Sequence, residues 1–236
     1  MLFYNKEEKE KLKSKWNNVF VINCTKCEGT GFYNEDGKTK QCSCMKKAIK
    51  CYNLELSNIP VVNFNVSKDS VTKKVNYNFN DYFEIIQNEV FKTKNLYLYN
   101  ISFTLNSEIV AYIARTLIDK ENKLSKKQLK IQYVVYEDLV QLSLKQNSDK
   151  EAKDRLNDLF RKPDVLFIDN VGAETGFGNT SKHNIKLLQL ILKTRYNDVK
   201  STIISSKLNY SDVEKFYSED VIEMISTYDF VKEVEL

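Results

Sequence analysis

The chain of 236 residues lacks any run of about 18 apolar residues, so no membrane-spanning helix is expected. Its opening, MLFYNKEEKEKLKSKW, mixes charges and has no apolar h-region or cleavage site. No secretory signal is read, and a cytosolic protein is expected. Arginine is scarce: it stands only at 115, 155, 161 and 195, and every other cation among the 36 basic residues is lysine. Proline occurs twice. With heavy Lys, Asn and Ile usage, this composition matches an AT-rich coding genome, a mutational bias and not a function. The net charge of +4 permits nucleic-acid contact without arguing for it. The single histidine, His183, opens a predicted helix and reads as exposed polar surface. A nucleophile–His–acid arrangement would have to use it, and no G-x-S-x-G turn is present, so conventional hydrolases find little support.

What is there is an alternation of strands and helices. After a charged helix over 5–16 and a short β-like run at Val19–Ile22 come a cysteine-rich segment and a helix over 45–57. Pro60 and the Asn-rich run that follows mark a domain boundary near 60, giving domains 1–60 and 61–236. A helix is expected from Asn80 or Asp81 to Phe91. Strands follow at Leu96–Tyr99, Ile131–Tyr136, Val165–Asp169, Ser201–Ser206 and Val231–Val234, with helices between them. This pattern predicts an α/β fold with a parallel sheet and helices on both faces.

The strongest chemical signal is the segment Cys24-Thr-Lys-Cys27-Glu-Gly29-Thr-Gly31, followed by an Asp36-Gly37 hairpin turn and Cys42-Ser-Cys44. A Cys-x-x-Cys turn brings two thiolates together. Cys42 and Cys44, two apart in an extended segment, would point the same way. The two pairs can converge as a tetrahedral site for a structural Zn2+. The alternatives are a disulfide, disfavoured in a reducing cytosol, and unliganded buried thiols. Cys51 is read as a residue of the following helix.

The stretch Asn95–Asp119 reads as strand, loop and amphipathic helix, the frame in which a nucleotide-binding protein places its phosphate loop. That loop needs G-x-x-x-x-G-K-[ST], because glycines let backbone N–H groups wrap the phosphates and lysine neutralises them. Here the register runs Asn100, Ile101, Ser102, Phe103, Thr104, Leu105, Asn106, Ser107. The frame is kept and the chemistry is missing.

The order of these pieces resembles the bacterial replicative helicase-loader ATPases of the DnaC/DnaI type and the related IstB-type ATPases. CTKCEGTGF, CSC and MKKAI look like the loaders' zinc region, and Ser57–Pro60 looks like the junction before their ATPase core. NLYLYN, VLFIDNVGAE, the helix ending in Thr194-Arg195-Tyr196, and STIISSKL fall in family order. The resemblance implies an AAA+-like core with a small N-terminal zinc-binding domain, and a bacterial or bacterial-host cytosol. As partners it implies a replicative helicase, single-stranded DNA, and an active ATPase subunit or further copies of the chain.

The departures bear on activity. Asn100, Leu105 and Asn106 stand at the loop's first glycine, last glycine and lysine, and only Ser107 still fits as a magnesium-ligating hydroxyl. Asp169 matches the magnesium-linked acid, but Asn170 takes the place of the acid that would poise water. Lys207 sits where a polar sensing asparagine is expected, and Asp220 and Met224 fill the places of arginines that complete a neighbour's site. With these losses no catalytic residue and no bound ATP are expected, leaving a pseudo-ATPase. Asp169 is then read as a strand-end cap and Ser107 as a helix N-cap. The expected function is a helicase-loader-like replication accessory protein, with a loader mimic that inhibits host replication as a variant. The competing reading is a zinc-containing nucleic-acid-binding protein using Lys46, Lys47 and Lys50, or Lys120, Lys123, Lys126, Lys127 and Lys130. A DnaJ-type cochaperone module is set aside, because only one Cys-x-x-Cys-x-Gly-x-Gly unit is present.

Overall fold

A computed structural model describes residues 4–66, 69, 71, 95–99, 103–124, 129–173, 180–228 and 230–233; for 103–106, 120–124 and 230–233 it describes the backbone alone. The helix expected over 81–91 lies outside the described residues. Helix α1 spans Lys6–Phe20 and opens with a capping box, in which Asn5 and Glu8 satisfy each other's backbone N–H groups. The β-like run expected at Val19–Ile22 is not a strand. The helix continues through Phe20 because Trp16 and Phe20, four residues apart, stack with ring centroids 5.9 Å apart. Strands β1 (Phe32–Glu35) and β2 (Lys38–Gln41) form the expected hairpin, with Asp36 and Gly37 both at positive φ in its turn. Helix α2 spans Ser43–Leu56.

The main sheet holds five parallel strands in the order β4-β5-β6-β3-β7. They are β3 (Leu96–Tyr99), β4 (Ile131–Val135), β5 (Val165–Val171), β6 (Ser201–Ser206) and β7 (Phe230–Glu233). Helix α3 (Phe103–Leu124) follows β3, and α4 (Tyr136–Lys145) and α5 (Lys150–Arg161) follow β4. Helix α6 (Lys182–Asn197) follows β5, and α7 (Tyr210–Phe216) and α8 (Glu219–Ser226) follow β6.

Side chains alternate across the sheet with the period of two that strands impose. Leu96, Leu98, Tyr133, Val165, Phe167 and Ile203 face α3, packing with Ile109, Ile113 and Ala114. Tyr97, Val134, Leu166, Ile168 and Ile204 face the other way, onto α4, α5, α6, α7 and α8. The α3-side cluster also takes in Trp16, Cys27, Cys42, Cys44, Leu54, Ile59 and Phe64, so apolar packing is continuous across position 60. Polar contacts reinforce it: Lys50 pairs with Asp119 on α3 at 2.6 Å, and Arg115 on α3 donates to the Phe64 carbonyl at 3.0 Å.

The joint between the two parts is a helix cap. Asn58 at φ +62 ends α2, its N–H donating to Glu55 O while Ile59 N–H donates to Leu54 O, the reciprocal pair of a Schellman motif. This leaves the Ser57 carbonyl free to accept the Tyr133 N–H at 2.9 Å and Gln132 Nε2 at 3.2 Å, while Asn58 Nδ2 donates to Tyr133 O. Strand β4 is an edge of the sheet, and the cap of α2 covers it at Tyr133.

Candidate metal centre and phosphate-loop region

The four cysteines named from the sequence converge. The Sγ atoms of Cys24, Cys27, Cys42 and Cys44 all lie within 4.8 Å of one another. Cys24 and Cys42 are 3.8 Å apart and Cys27 and Cys44 3.4 Å. A tetrahedral set of thiolates on one zinc would place sulfurs about 3.8 Å apart, so the spacing fits that ion. Cys51 is half-buried on α2 and stands apart from the cluster.

The backbone shows why the glycines are needed. Gly29 and Gly31 adopt φ +78 and +80, and a Cβ on Gly31 would sit 2.4 Å from Met45 Cε. The tight return brings the Gly31 N–H onto Cys27 Sγ at 3.2 Å and the Cys42 N–H onto Gly31 O at 2.8 Å. Cys42 and Cys44 are not in an extended segment. Cys42 is the N-cap of α2 and Cys44 lies in its first turn, so helix geometry turns both thiols toward the first pair. The Cys44 N–H, close by at the helix start, lowers the Cys42 thiol to about 7, while burial pushes Cys44 up to about 12. The Cys27 N–H likewise lowers Cys24.

At the other candidate site, α3 is helical from Phe103. Leu105 and Asn106 are therefore in its first turn, and Asn100 lies outside the described residues. Only 100–102 separate β3 from the helix. Ser107 is not an N-cap: it is the fifth residue of α3, and its Oγ donates to Asp169 Oδ2 at 2.6 Å.

Nor does Asp169 cap a strand end, because β5 runs on to Val171. Its buried carboxylate accepts three hydroxyls: Ser107 and Tyr133 at Oδ2 and Ser205 at Oδ1. All three come from the α3 side, Tyr133 from β4 and Ser205 from β6, the strands flanking β5. Asn170 sits at φ +61 and its N–H donates to Ser205 Oγ at 3.1 Å. Burial first, and the Asp169 charge second, hold the Tyr133 phenol well above its ordinary value, so it remains a donor.

Residues assigned to other roles fall differently. Ser205, not Lys207, faces Asp169 from β6; Lys207 follows that strand and is half-buried. Asp220 is exposed and accepts from Gln189 Nε2 at 3.1 Å. Arg195 is completely buried and donates to Thr202 Oγ1 and the carbonyls of Phe160, Pro163, Asp164 and Ser201, at 2.5 to 3.4 Å. His183 is half-buried, not exposed: Nε2 lies 2.6 Å from Ser143 Oγ, joining α6 to α4.

The fold and these sites define a class, an α/β core with a parallel sheet flanked by helices and a small four-cysteine module beside it. No protein-family model matches the sequence, and no curated protein does. Solved structures of similar fold include the DnaC helicase loader, 17% identical over 66% of this chain and 87% of that one, with a TM-score of 0.53. DnaI is 18% identical over 76% of this chain and 93% of its own, also at 0.53. DnaA from Aquifex aeolicus, solved with AMPPCP bound, is 15% identical over 69% of this chain and 48% of that one, at 0.54. At these identities the likeness establishes a DnaC/DnaI-like fold.

Proposed function

We propose that the chain is a helicase-loader-like DNA replication accessory protein of the bacterial or bacterial-host cytosol, which does not hydrolyse ATP itself. The observation that carries this reading is the pairing of a loader-type fold with a phosphate-loop position already helical at Phe103. A phosphate loop works through non-helical backbone whose N–H groups converge on the anion. Here three residues remain for it, and Leu105 and Asn106 replace a glycine and a lysine. The other requirements of phosphoryl transfer are missing too: Asn170 cannot poise water as a carboxylate, and buried Arg195 cannot reach a neighbour's phosphate.

In this reading the metal is a structural Zn2+ on Cys24, Cys27, Cys42 and Cys44, and the module it closes meets the helicase. Val19, Ile22 and Phe32 are exposed on that module, apolar side chains suited to a protein partner. Promotion or blockade of loading, and work beside an active ATPase subunit or further copies of the chain, are variants of one binding function. The test is capture of the host replicative helicase by the zinc-loaded chain, repeated with Cys24→Ser and Cys27→Ser, beside an ATP turnover assay. Capture lost with the cysteines and no turnover supports the proposal; capture unaffected by them, or steady turnover, contradicts it.

Direct contact with single-stranded DNA is favoured by α6. Its sixteen residues contain no acid, and Lys182, Lys186 and Lys193 are exposed along one stripe with Leu190. Tyr196, 65% exposed near its end, offers a ring on which a base could stack. Lys50, by contrast, is held by Asp119.

A further inference from the structure

We infer that Tyr133 takes the place of a divalent cation on Asp169 and, through its backbone, couples that carboxylate to the seating of the N-terminal module. The inference deepens the non-hydrolysing reading and rests on it. A magnesium ion bound in the family's way would need room beside Ser107 Oγ and the Asp169 carboxylate for itself and its waters. The residues present do not fit it: Ser107, donating to Asp169 Oδ2, keeps its lone pairs, but Tyr133 brings a phenol onto that same oxygen and Ser205 takes Oδ1, so hydroxyls fill the place of the ion and its waters. Asp169, Tyr133 and Ser205 are each 1% exposed or less, so three hydroxyls, not water, solvate this charge. The cage draws together four separate elements, β4, β5, β6 and α3.

The second half follows from the other end of the same residue. Tyr133 N–H donates to Ser57 O at 2.9 Å and Tyr133 O accepts from Asn58 Nδ2 at 3.3 Å, so both its backbone groups hold the cap of α2. From that cap the contacts run back through the module. Trp16 Nε1 donates to Glu55 Oε2 at 2.7 Å, and its ring lies 5.9 Å from that of Phe64. One residue on the edge strand thus has its hydroxyl on the carboxylate and its peptide on the module. A ligand that withdraws the hydroxyl from Asp169 must shift the tyrosine, and the shift is felt at Ser57. Conversely, a partner that lifts the module off β4 releases Tyr133 and uncovers a carboxylate able to take a cation.

The experiment uses the full zinc-loaded chain and Tyr133→Phe, which keeps the ring and removes the donor. Mn2+ binding is followed by electron paramagnetic resonance, and amide exchange is read at Ile59 and Phe64 and at Tyr133 itself. The expected result is Mn2+ binding about ten times tighter than in the unaltered chain, abolished by adding Asp169→Asn, with exchange at those amides about ten times faster. Equal Mn2+ affinity in the two chains, or unchanged exchange at Ile59 and Phe64, overturns the inference. Should Tyr133→Phe fail to fold, Ser205→Ala frees Oδ1 instead; gained Mn2+ binding supports the cage and no gain refutes it. ATP turnover by the unaltered chain removes the non-hydrolysing reading while leaving the Mn2+ gain to judge the cage. No turnover and no Mn2+ gain does the reverse.

Discussion

Metal uptake by the four-cysteine module should release protons in a number that the thiol environments fix. A thiol must ionise to bind zinc, so every ligand still protonated in the free module contributes one proton on binding. Cys44, pushed up to about 12 by burial and by its three neighbouring sulfurs, is protonated at any working pH and contributes about one. Cys42, lowered to about 7 by the Cys44 N–H, is mostly thiolate at pH 8 and mostly thiol at pH 6. The sign follows: a lowered thiol is ready for the metal above its value and must be ionised below it. Release should therefore rise by about one proton between pH 8 and pH 6, and apparent affinity should fall more steeply with acidification below about 7 than above it. Calorimetry of Zn2+ binding in two buffers of different ionisation enthalpy, at each pH, counts the protons directly. Release that stays constant across pH 7, or none at pH 8, would refute the assignment of a high Cys44 and a low Cys42.

Gly31→Ala places a side chain at φ +80 and disturbs the N–H that holds Cys27 Sγ, so metal affinity should fall about tenfold, a cost of about 1–2 kcal/mol, measured by competition with a chromogenic chelator. Gly37→Ala at φ +73, with open space around it, should leave that affinity within about twofold. Arg195→Lys cannot reproduce the planar fork that serves four carbonyls and Thr202. It should cost ~3 kcal/mol and lower Tm by roughly 6–12 °C in a thermal melt, and a shift under about 2 °C would contradict the fork's role. Reversing Lys182, Lys186 and Lys193 to Glu should reduce the salt slope of single-stranded DNA binding by about 2, since each phosphate contact on a single strand contributes about 0.7. An unchanged slope places that interface elsewhere.

The sheet was legible because its strands declare themselves. Val165–Ile168 and Ser201–Ser206 are short runs buried on both faces, and the helices between them carry their own caps, Asp149 before α5 and Ser181 before α6. The convergence of the four cysteines was legible because their spacing brings them together, although the local geometry was not: Cys42 and Cys44 project from a helix start and not from an extended segment. Val19–Ile22 misled because β-branched residues favour strands, and the Trp16–Phe20 contact outweighed that preference.

The surroundings of Asp169 were hidden for a different reason. Tyr133 and Ser205 are each 36 residues from it and Ser107 is 62, so no local pattern links them. What links them is parity and neighbour order: Tyr133, Asp169 and Ser205 share one face of three adjacent strands, and α3 lies across that face. Given the order β4-β5-β6, alternation would have predicted both strand donors; without it, the acid reads as a strand-end cap. A buried carboxylate without polar partners would be costly, and hydroxyls arriving from both flanking strands and from α3 supply the solvation that lets Asp169 stay in the core.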